Sequence, residues 1–185
     1  WALTTYLKGA CPWNTAEVGG PSIAFTDSCA QWKANFKAEL ARQPAYDAIF
    51  TASLADTPYP GSTAAEVSKG YVAAWRQAKG APIVTLVDNP DFAEDPNKCL
   101  RVSSPADCTE ARADVLKKVD PIVAAASSAN ATLLDFTDKY CDSRDCFSVV
   151  GGANVYRDQD HLTVTWTLTL KSAIGEAITG VLTDR

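Results

Sequence analysis

The sequence contains a single histidine, His161, so any histidine chemistry must use this side chain. Asp158 precedes it by three residues, in the run Asp158-Gln159-Asp160-His161. In a loop, a carboxylate at this distance can accept the Nδ1 proton of the histidine and leave Nε2 free to take a proton from a nucleophile. The spacing therefore predicts His161 as a general base oriented by Asp158. The pattern is short, and an ordinary surface histidine at an acidic helix start has the same residues.

Two further charged residues flank this pair, Arg157 and Asp160. Adjacent side chains rarely converge, so Asp158 is predicted as the partner of His161, while Asp160 and Arg157 are expected on the solvated face of the loop. After the histidine, Thr163 is predicted to cap the final helix. The apolar residues of that helix recur at helical spacing: Trp166, Leu170, Ile174, Ile178 and Leu182.

The chain has six cysteines, an even number that is typical of disulfide-bonded proteins. Several pairings are formally open, but proximity and the loop-like content between the cysteines favour three of them: Cys11–Cys29, Cys99–Cys108 and Cys141–Cys146. A zinc site is not favoured, because no C-x-x-C motif occurs and His161 is distant in sequence from every cysteine pair. Disulfides indicate an oxidising, extracytoplasmic compartment.

Length and charge limit the class of protein. A chain of 185 residues with 46% hydrophobic residues is long enough for one domain with a sizeable core. The net charge of −5, without a basic cluster, argues against binding to nucleic acid or to anionic lipid. The chain has no methionine and begins on Trp1 in a strand-like stretch, so we expect a further segment upstream of Trp1.

Strands and helices alternate along the sequence. Continuous apolar runs predict buried strands at residues 2–7, 46–52, 82–87 and 132–136. Apolar residues at helical spacing predict helices at residues 28–43 with Asp27 or Thr26 as the cap, at 62–79, at 109–126 with a break or kink at Pro121, and from Thr163 onward. This order predicts an α/β fold with a parallel sheet covered by helices on both faces.

In such a sheet, ligands bind at the carboxyl ends of the strands. The residues at the predicted strand ends are Lys8 and Gly9, then Thr51, Ala52 and Ser53, then Asp88 and Asn89. These are the candidate binding positions besides His161 and Asp158.

Several motifs, taken together, point to one family. They occur in this order: Ala10-Cys11-Pro12-Trp13, Cys29-x-x-Trp32, Val87-Asp88-Asn89-Pro90 followed by Cys99, Tyr140-Cys141 with Cys146 ahead of Gly151-Gly152, and the block from Tyr156 to Thr163. In sequence and order they resemble the SGNH hydrolase superfamily, most closely the extracytoplasmic SGNH domains fused to family-3 membrane acyltransferases. The resemblance covers nearly the whole chain.

This resemblance implies a three-layer α/β/α fold with a parallel, flavodoxin-like sheet. It also implies O-acyl transfer to, or ester hydrolysis on, a carbohydrate of a bacterial cell envelope through a serine acyl-enzyme. His161 would act as general base and then acid, and Asp158 would orient it. Gly9 matches the position of an oxyanion-hole glycine, and Ser53 stands where the family has an asparagine. No metal or organic cofactor is implied, and the expected partners are an acyl donor, a carbohydrate acceptor and a membrane acyltransferase domain.

The chain departs from the family in one respect. The Gly-Asp-Ser block that carries the family's nucleophile has no counterpart in residues 1–185. In the family this block follows the central first strand. We therefore expect a slot of about 9 to 10 Å, two strand spacings, between residues 2–7 and 46–52, filled by an upstream segment with a Gly-Asp-Ser. Ser28, in Thr26-Asp27-Ser28, is the alternative nucleophile, but it lies at a predicted helix start beside Cys29. The alternative function is a non-catalytic module that binds glycan or a partner protein.

Overall fold

The chain forms two units in the computed structural model, which describes residues 2–116 and 120–183. The first unit is Trp1–Asp88 with Val119–Leu133, and the second is Asn89–Lys118 with Leu134–Arg185. The α-helices are α1 Ile23–Arg42, α2 Ala64–Trp75, α3 Pro96–Leu100, α4 Arg112–Val115, α5 Pro121–Ala129, α6 Thr137–Tyr140, α7 Val164–Thr169 and α8 Lys171–Thr183. The strands are β1 Ile49–Thr51, β2 Ile83–Leu86, β3 Thr109–Ala111, β4 Thr132–Leu134, β5 Asp145–Phe147, β6 Val149–Val150 and β7 Ala153–Asn154.

A parallel sheet underlies the first unit. Its strand order is β1-β2-β4, and β1 pairs with β2 in parallel, with Ile49 opposite Ile83 and Thr51 opposite Thr85. Each strand is shorter than the apolar run that predicted it. β1 and β2 lie inside the runs at residues 46–52 and 82–87, and β4 covers the first three residues of the run at 132–136. The fold class is the predicted one, a mixed α/β fold with a parallel sheet and helices.

The core of the first unit lies between helices and this sheet. Helix α2 packs against α5, and its start is fixed by a capping box in which Thr63 accepts from the Glu66 N–H and Glu66 accepts from the Thr63 N–H. The buried side chains of this core are mainly aromatic and small: Trp13, Phe36, Leu40, Val67, Tyr71, Ala74, Trp75, Ala78, Ala81, Ile83, Ile122, Ala125 and Ala126.

Helix α1 begins earlier than the sequence indicated. The prediction placed its start at Ser28, but the helix begins at Ile23 because the Ser22 side chain accepts a hydrogen bond from the Phe25 N–H. Both residues predicted as its cap lie within the helix instead: Thr26 and Asp27.

The strand predicted at residues 2–7 is wrong, since this segment forms no strand in the part of the chain that the structure describes. Leu3 and Leu7 are each 86% exposed. A strand needs a neighbouring strand for its backbone hydrogen bonds, and this segment has none among the described residues. Instead, an open groove of about 450 Å³ separates residues 2–8 from β1.

The helix predicted over residues 109–126 is not continuous, and the predicted break at Pro121 is confirmed, since α4 ends at Val115 and α5 begins at Pro121. Its first part is β3, which pairs antiparallel with β5 so that Glu110 lies opposite Cys146. Helix α5 starts at Pro121, with the Asp120 carboxylate accepting from the Ile122 N–H. Proline has no N–H to lose at the first position of a helix, so Pro121 begins this helix rather than kinking a longer one.

The second unit contains two small antiparallel pairs, β3 with β5 and β6 with β7. Its core comprises mostly aromatic side chains and a disulfide: Phe92, Val115, Tyr140, Cys141, Cys146, Val155, Tyr156, Trp166 and Leu170. The final helix follows the predicted periodicity but divides at Leu170 into α7 and α8. The short antiparallel strands β5 to β7 were not predicted, because two or three residues are too few to show an alternating pattern.

All three predicted disulfides are present. Cys11 is bonded to Cys29 and Cys99 to Cys108, with Cα separations of 5.6 and 5.7 Å. The third disulfide joins Cys141 to Cys146, two positions that also form an isolated antiparallel bridge. None of the six cysteines is left as a thiol.

Within the described ranges, no helix has both the length and the apolar character that crossing a membrane requires.

Candidate active site

His161 lies in a short loop that is closed at both ends. Tyr156 and Leu162 face each other in an antiparallel bridge, and the Arg157 N–H donates to the His161 carbonyl at 2.9 Å. Immediately after the loop, Thr163 caps α7 as predicted, with its hydroxyl accepting from the Trp166 N–H. Closure by backbone hydrogen bonds gives this exposed loop a defined conformation.

Asp158 is positioned against the histidine as the sequence predicted. His161 Nδ1 lies 2.9 Å from Asp158 Oδ1, in a hydrogen bond. The same oxygen accepts from the backbone N–H of His161 at 2.8 Å and from that of Asp160 at 3.3 Å. The side chain of His161 is 62% exposed and that of Asp158 is 43% exposed, so the pair is open to solvent.

These contacts determine the protonation state of the carboxyl. The hydrogen bond from the His161 backbone N–H, with the contact of the imidazole, lowers the pKa of Asp158 to about 2. Asp158 is therefore a carboxylate at neutral pH and can only accept hydrogen bonds. When the imidazole is neutral, its proton is on Nδ1 and the lone pair is on Nε2. This is the tautomer that a general base needs.

Two other charged groups contact the pair. Asp160 Oδ1 lies 3.0 Å from His161 Nδ1, and Arg157 Nε lies 3.5 Å from Asp158 Oδ2. The expectation that the adjacent Asp160 would point away from His161 is therefore wrong, because the bend of the loop brings it to the ring nitrogen. Asp158 still makes the stronger set of contacts, since one oxygen accepts three hydrogen bonds.

The same three residues could hold a cation. Ligand atoms of Asp158, Asp160 and His161 all lie within 4.8 Å of one another. Exposed acidic groups adopt such spacings commonly, and acyl transfer by a serine requires no metal.

The two predicted oxyanion residues, Gly9 and Ser53, belong to the first unit, whereas His161 and Asp158 belong to the second. Gly9 is in a tight turn in which the Cys11 N–H donates to the Lys8 carbonyl at 3.2 Å. The next residue, Ala10, has a φ of 53°, a left-handed conformation that favours glycine.

Ser53 lies at the end of a chain of hydroxyl groups. Ser53 Oγ is 2.7 Å from the Tyr71 hydroxyl, which is 3.0 Å from the Tyr59 hydroxyl. Burial raises the pKa of both Tyr71 and Tyr59, so the chain stays neutral. The oxyanion roles of Gly9 and Ser53 remain predictions.

The alternative nucleophile, Ser28, has a different partner. Its Oγ accepts a hydrogen bond from Lys8 Nζ at 2.6 Å, and it lies on α1 in the first unit. In this contact the Lys8 ammonium group is the donor and the Ser28 hydroxyl is the acceptor. The lysine therefore does not remove the proton of the serine.

Sequence reasoning missed the part of the second unit that holds the histidine loop. Asn89 Nδ2 donates to the Asp160 carbonyl at 2.6 Å, and the Phe92 N–H donates to the Gln159 carbonyl at 3.1 Å. Asn89 was noted only as a polar residue at a strand end. Its hydrogen bond spans 71 residues of sequence, and no local pattern indicates such a contact.

Comparisons with known proteins support the family and the fold. A family model described as an SGNH domain fused to AT3 domains matches residues 1–175. The structure is similar to that of the periplasmic domain of a lipopolysaccharide acetyltransferase from Salmonella ser. Paratyphi A, with a TM-score of 0.68 and 12% sequence identity. The alignment covers 91% of this chain and 69% of that one, and at this identity it shows the fold alone. No curated protein matches the chain.

Proposed function

Since the chain belongs to the family of SGNH domains fused to AT3 domains, we propose that it transfers or hydrolyses O-acyl groups of a cell-envelope carbohydrate through a serine acyl-enzyme. Family and fold support an acyl-related function of the SGNH type. The observation that carries the proposal is the hydrogen bond between His161 Nδ1 and Asp158 Oδ1 at 2.9 Å. This hydrogen bond supports His161 as the proton acceptor that serine chemistry requires.

In the proposed mechanism, His161 Nε2 removes the proton of a serine hydroxyl as its oxygen attacks the acyl carbonyl. The anionic Asp158 stabilises the imidazolium that forms. His161 then returns the proton to the departing alcohol, which leaves an acyl-serine. A carbohydrate hydroxyl or a water molecule attacks this ester in the second half-reaction, with His161 again as base. The bond between the acyl group and the serine oxygen then breaks, and His161 returns the proton to that oxygen. Donors near the tetrahedral oxyanion lower both barriers. Gly9, through its N–H, and Ser53, through its hydroxyl, are the proposed donors.

We propose that the nucleophilic serine comes from an extended segment with a Gly-Asp-Ser that lies in the groove beside β1, outside residues 1–185. β1 is an edge strand of its sheet among the described residues, so one side of it is open to backbone pairing. The groove between this edge and residues 2–8 is lined by aromatic rings: Tyr6, Trp13, Trp32, Phe36 and Tyr46. Trp13 and Phe36 are already buried, and an added strand would cover the partly buried Tyr6, Trp32 and Tyr46. Addition of a strand to an open edge is a common mode of peptide binding.

The proposed setting follows from the family and the disulfides. Three disulfides fit an extracytoplasmic compartment. Fusion to AT3 domains implies association with a membrane acyltransferase domain. We propose that this domain supplies the acyl group, that a cell-envelope glycan accepts it, and that the fusion tethers the domain to the membrane.

A second candidate function is a non-catalytic module that binds glycan or a partner. It is favoured by the lack of a counterpart to the family's Gly-Asp-Ser in the chain. Hydrolysis of p-nitrophenyl acetate by the protein with its native flanking sequence separates the two functions. The enzyme proposal predicts turnover that His161→Ala abolishes. Turnover that is absent, or unchanged in His161→Ala, supports the binding module.

A further inference from the structure

We infer that Asn89 is a positioning residue for His161, acting through the peptide bond between Asp160 and His161; this role rests on the proposed function. Asn89 Nδ2 donates to the Asp160 carbonyl at 2.6 Å. The N–H of the same peptide unit, that of His161, donates to Asp158 Oδ1 at 2.8 Å. A trans peptide is planar, so both hydrogen bonds fix the orientation of one rigid unit.

The orientation of this unit determines the contact of the imidazole with its carboxylate. Asp158 Oδ1 accepts from both the His161 N–H and the His161 ring, so a rotation of the peptide moves both contacts together. The backbone contact is also the largest cause that lowers the pKa of Asp158. The hydrogen bond from Asn89 polarises the peptide and strengthens its N–H as a donor.

The segment that carries Asn89 is itself fixed on both sides. The Asp91 N–H donates to the Val115 carbonyl at 2.9 Å, and Phe92 is buried with its ring 4.8 Å from that of Tyr156. The Gln159 side chain also donates to the Ala93 carbonyl at 3.0 Å. Asn89 therefore extends from a fixed segment onto an exposed loop.

Asn97 provides a matched control on the same segment. Its Nδ2 donates to the Tyr156 carbonyl at 3.3 Å, at the start of the loop and away from the peptide that contacts Asp158. If any loss of a loop contact had the same effect, Asn97→Ala and Asn89→Ala would behave alike. If Asn89 acts through the Asp160–His161 peptide, only Asn89→Ala should change the imidazole.

The lone histidine allows a readout that does not depend on activity. The ring nitrogen resonances in a ¹⁵N-labelled sample report which nitrogen carries the proton. Native protein should show the Nδ1–H tautomer, Asn89→Ala a mixture with the Nε2–H tautomer, and Asn97→Ala the native pattern. In p-nitrophenyl acetate hydrolysis by the protein with its native flanking sequence, Asn89→Ala should lower kcat by about 10- to 100-fold with little change in KM, since small displacements of a catalytic group cost this much.

Each outcome decides a separate point. A native tautomer in Asn89→Ala together with an unchanged kcat overturns the positioning role. An Nε2–H tautomer in native protein contradicts the proposed function itself, because Asp158 would not be orienting the base. If Asn89→Ala does not fold, two other variants replace it. Asn89→Leu has a similar volume but no hydrogen-bond donor, and Asn89→Ser retains a donor. Loss of the Nδ1–H tautomer in the leucine variant and its partial return in the serine variant support the role; identical spectra in both oppose it.

Discussion

Residues 156–163 and residues 2–9 differ in how completely the described chain satisfies their hydrogen bonds. The histidine loop is closed by the bridge of Tyr156 to Leu162, capped by Thr163 and held by Asn89. Residues 2–7 form no strand and border an open groove. Backbone hydrogen bonds close the first stretch, whereas the second contacts its own unit through side chains such as Tyr6, whose hydroxyl lies 2.8 Å from that of Tyr46.

The difference arises from the kind of hydrogen bonds that each stretch needs. A polar loop can satisfy its backbone with neighbouring side chains such as Asp158, which accepts from two N–H groups and a ring nitrogen. A strand depends on another strand beside it. We propose that His161 and Asp158 form the base half of a catalytic site, and that the nucleophile half requires a further strand.

The largest expected effect on kcat comes from substituting one of the two carboxylates of the loop, Asp158, and not the other, Asp160. Asp158→Asn in the protein with its native flanking sequence should preserve folding and lower kcat by up to about 10⁴-fold, because the amide stabilises the wrong tautomer. Asp160→Asn should lower it much less, since Asp160 Oδ1 contacts the ring nitrogen at 3.0 Å but the His161 backbone N–H donates to Asp158 Oδ1. Steady-state kinetics with p-nitrophenyl acetate measures both. Equal losses from the two substitutions would show that Asp160 shares the orienting role.

Removal of disulfides tests the stability of the two units separately. Replacing both Cys11 and Cys29 by alanine should cost about 3 kcal/mol, because this disulfide closes the longer loop. Replacing Cys141 and Cys146 should cost about 2 kcal/mol, since only five positions separate them. Urea unfolding followed by circular dichroism gives both values. A larger loss from the shorter loop would contradict the loop-closure argument.

The helix cap after the loop should have a smaller effect. Thr163→Ala removes the acceptor for the Trp166 N–H and should destabilise the second unit by about 1 kcal/mol. Thr167→Ala is a control on the same helix. The Thr167 hydroxyl donates to the Thr163 carbonyl, so its removal takes away a hydroxyl without removing the helix cap. Thermal unfolding of the two variants measures the difference. Equal shifts would show that the cap adds nothing beyond the loss of a hydroxyl.

The smallest effect is a titration at acid pH. The pKa of Asp158 is lowered from 3.8 to about 2, so its contacts stabilise the folded loop above about pH 4 and are lost as the pH falls through 2. The amide proton shift of His161 should therefore change with a midpoint near pH 2. Asp158→Asn should remove this step, and Asp160→Asn should retain it. A midpoint near pH 4 would mean that the contacts do not form in solution.

The sequence predicted some of this molecule correctly, and for physical reasons. Asp158 and His161 are three residues apart, so a single loop conformation places them in contact. The disulfides also join cysteines that are close in sequence. The start of α1 was not predicted, because Asp27 is a good cap residue but the helix begins earlier, where the Ser22 side chain accepts from the Phe25 N–H.

Long-range contacts could not be predicted in this way. Thr109–Ala111 shares a helical pattern with the residues after it, but pairing with Asp145–Phe147 makes it a strand. The contact between Asn89 and Asp160 depends on two segments 71 residues apart. Their proximity is a result of folding and leaves no signal in local spacing.

Covalent labelling is the sharpest test of a serine acyl-enzyme that depends on His161. The protein with its native flanking sequence is incubated with a fluorophosphonate and mapped by mass spectrometry, beside His161→Ala. We expect one adduct, on the serine of a Gly-Asp-Ser outside residues 1–185, and its loss in His161→Ala. An adduct on Ser28, an adduct of equal yield in His161→Ala, or no adduct at all would contradict it.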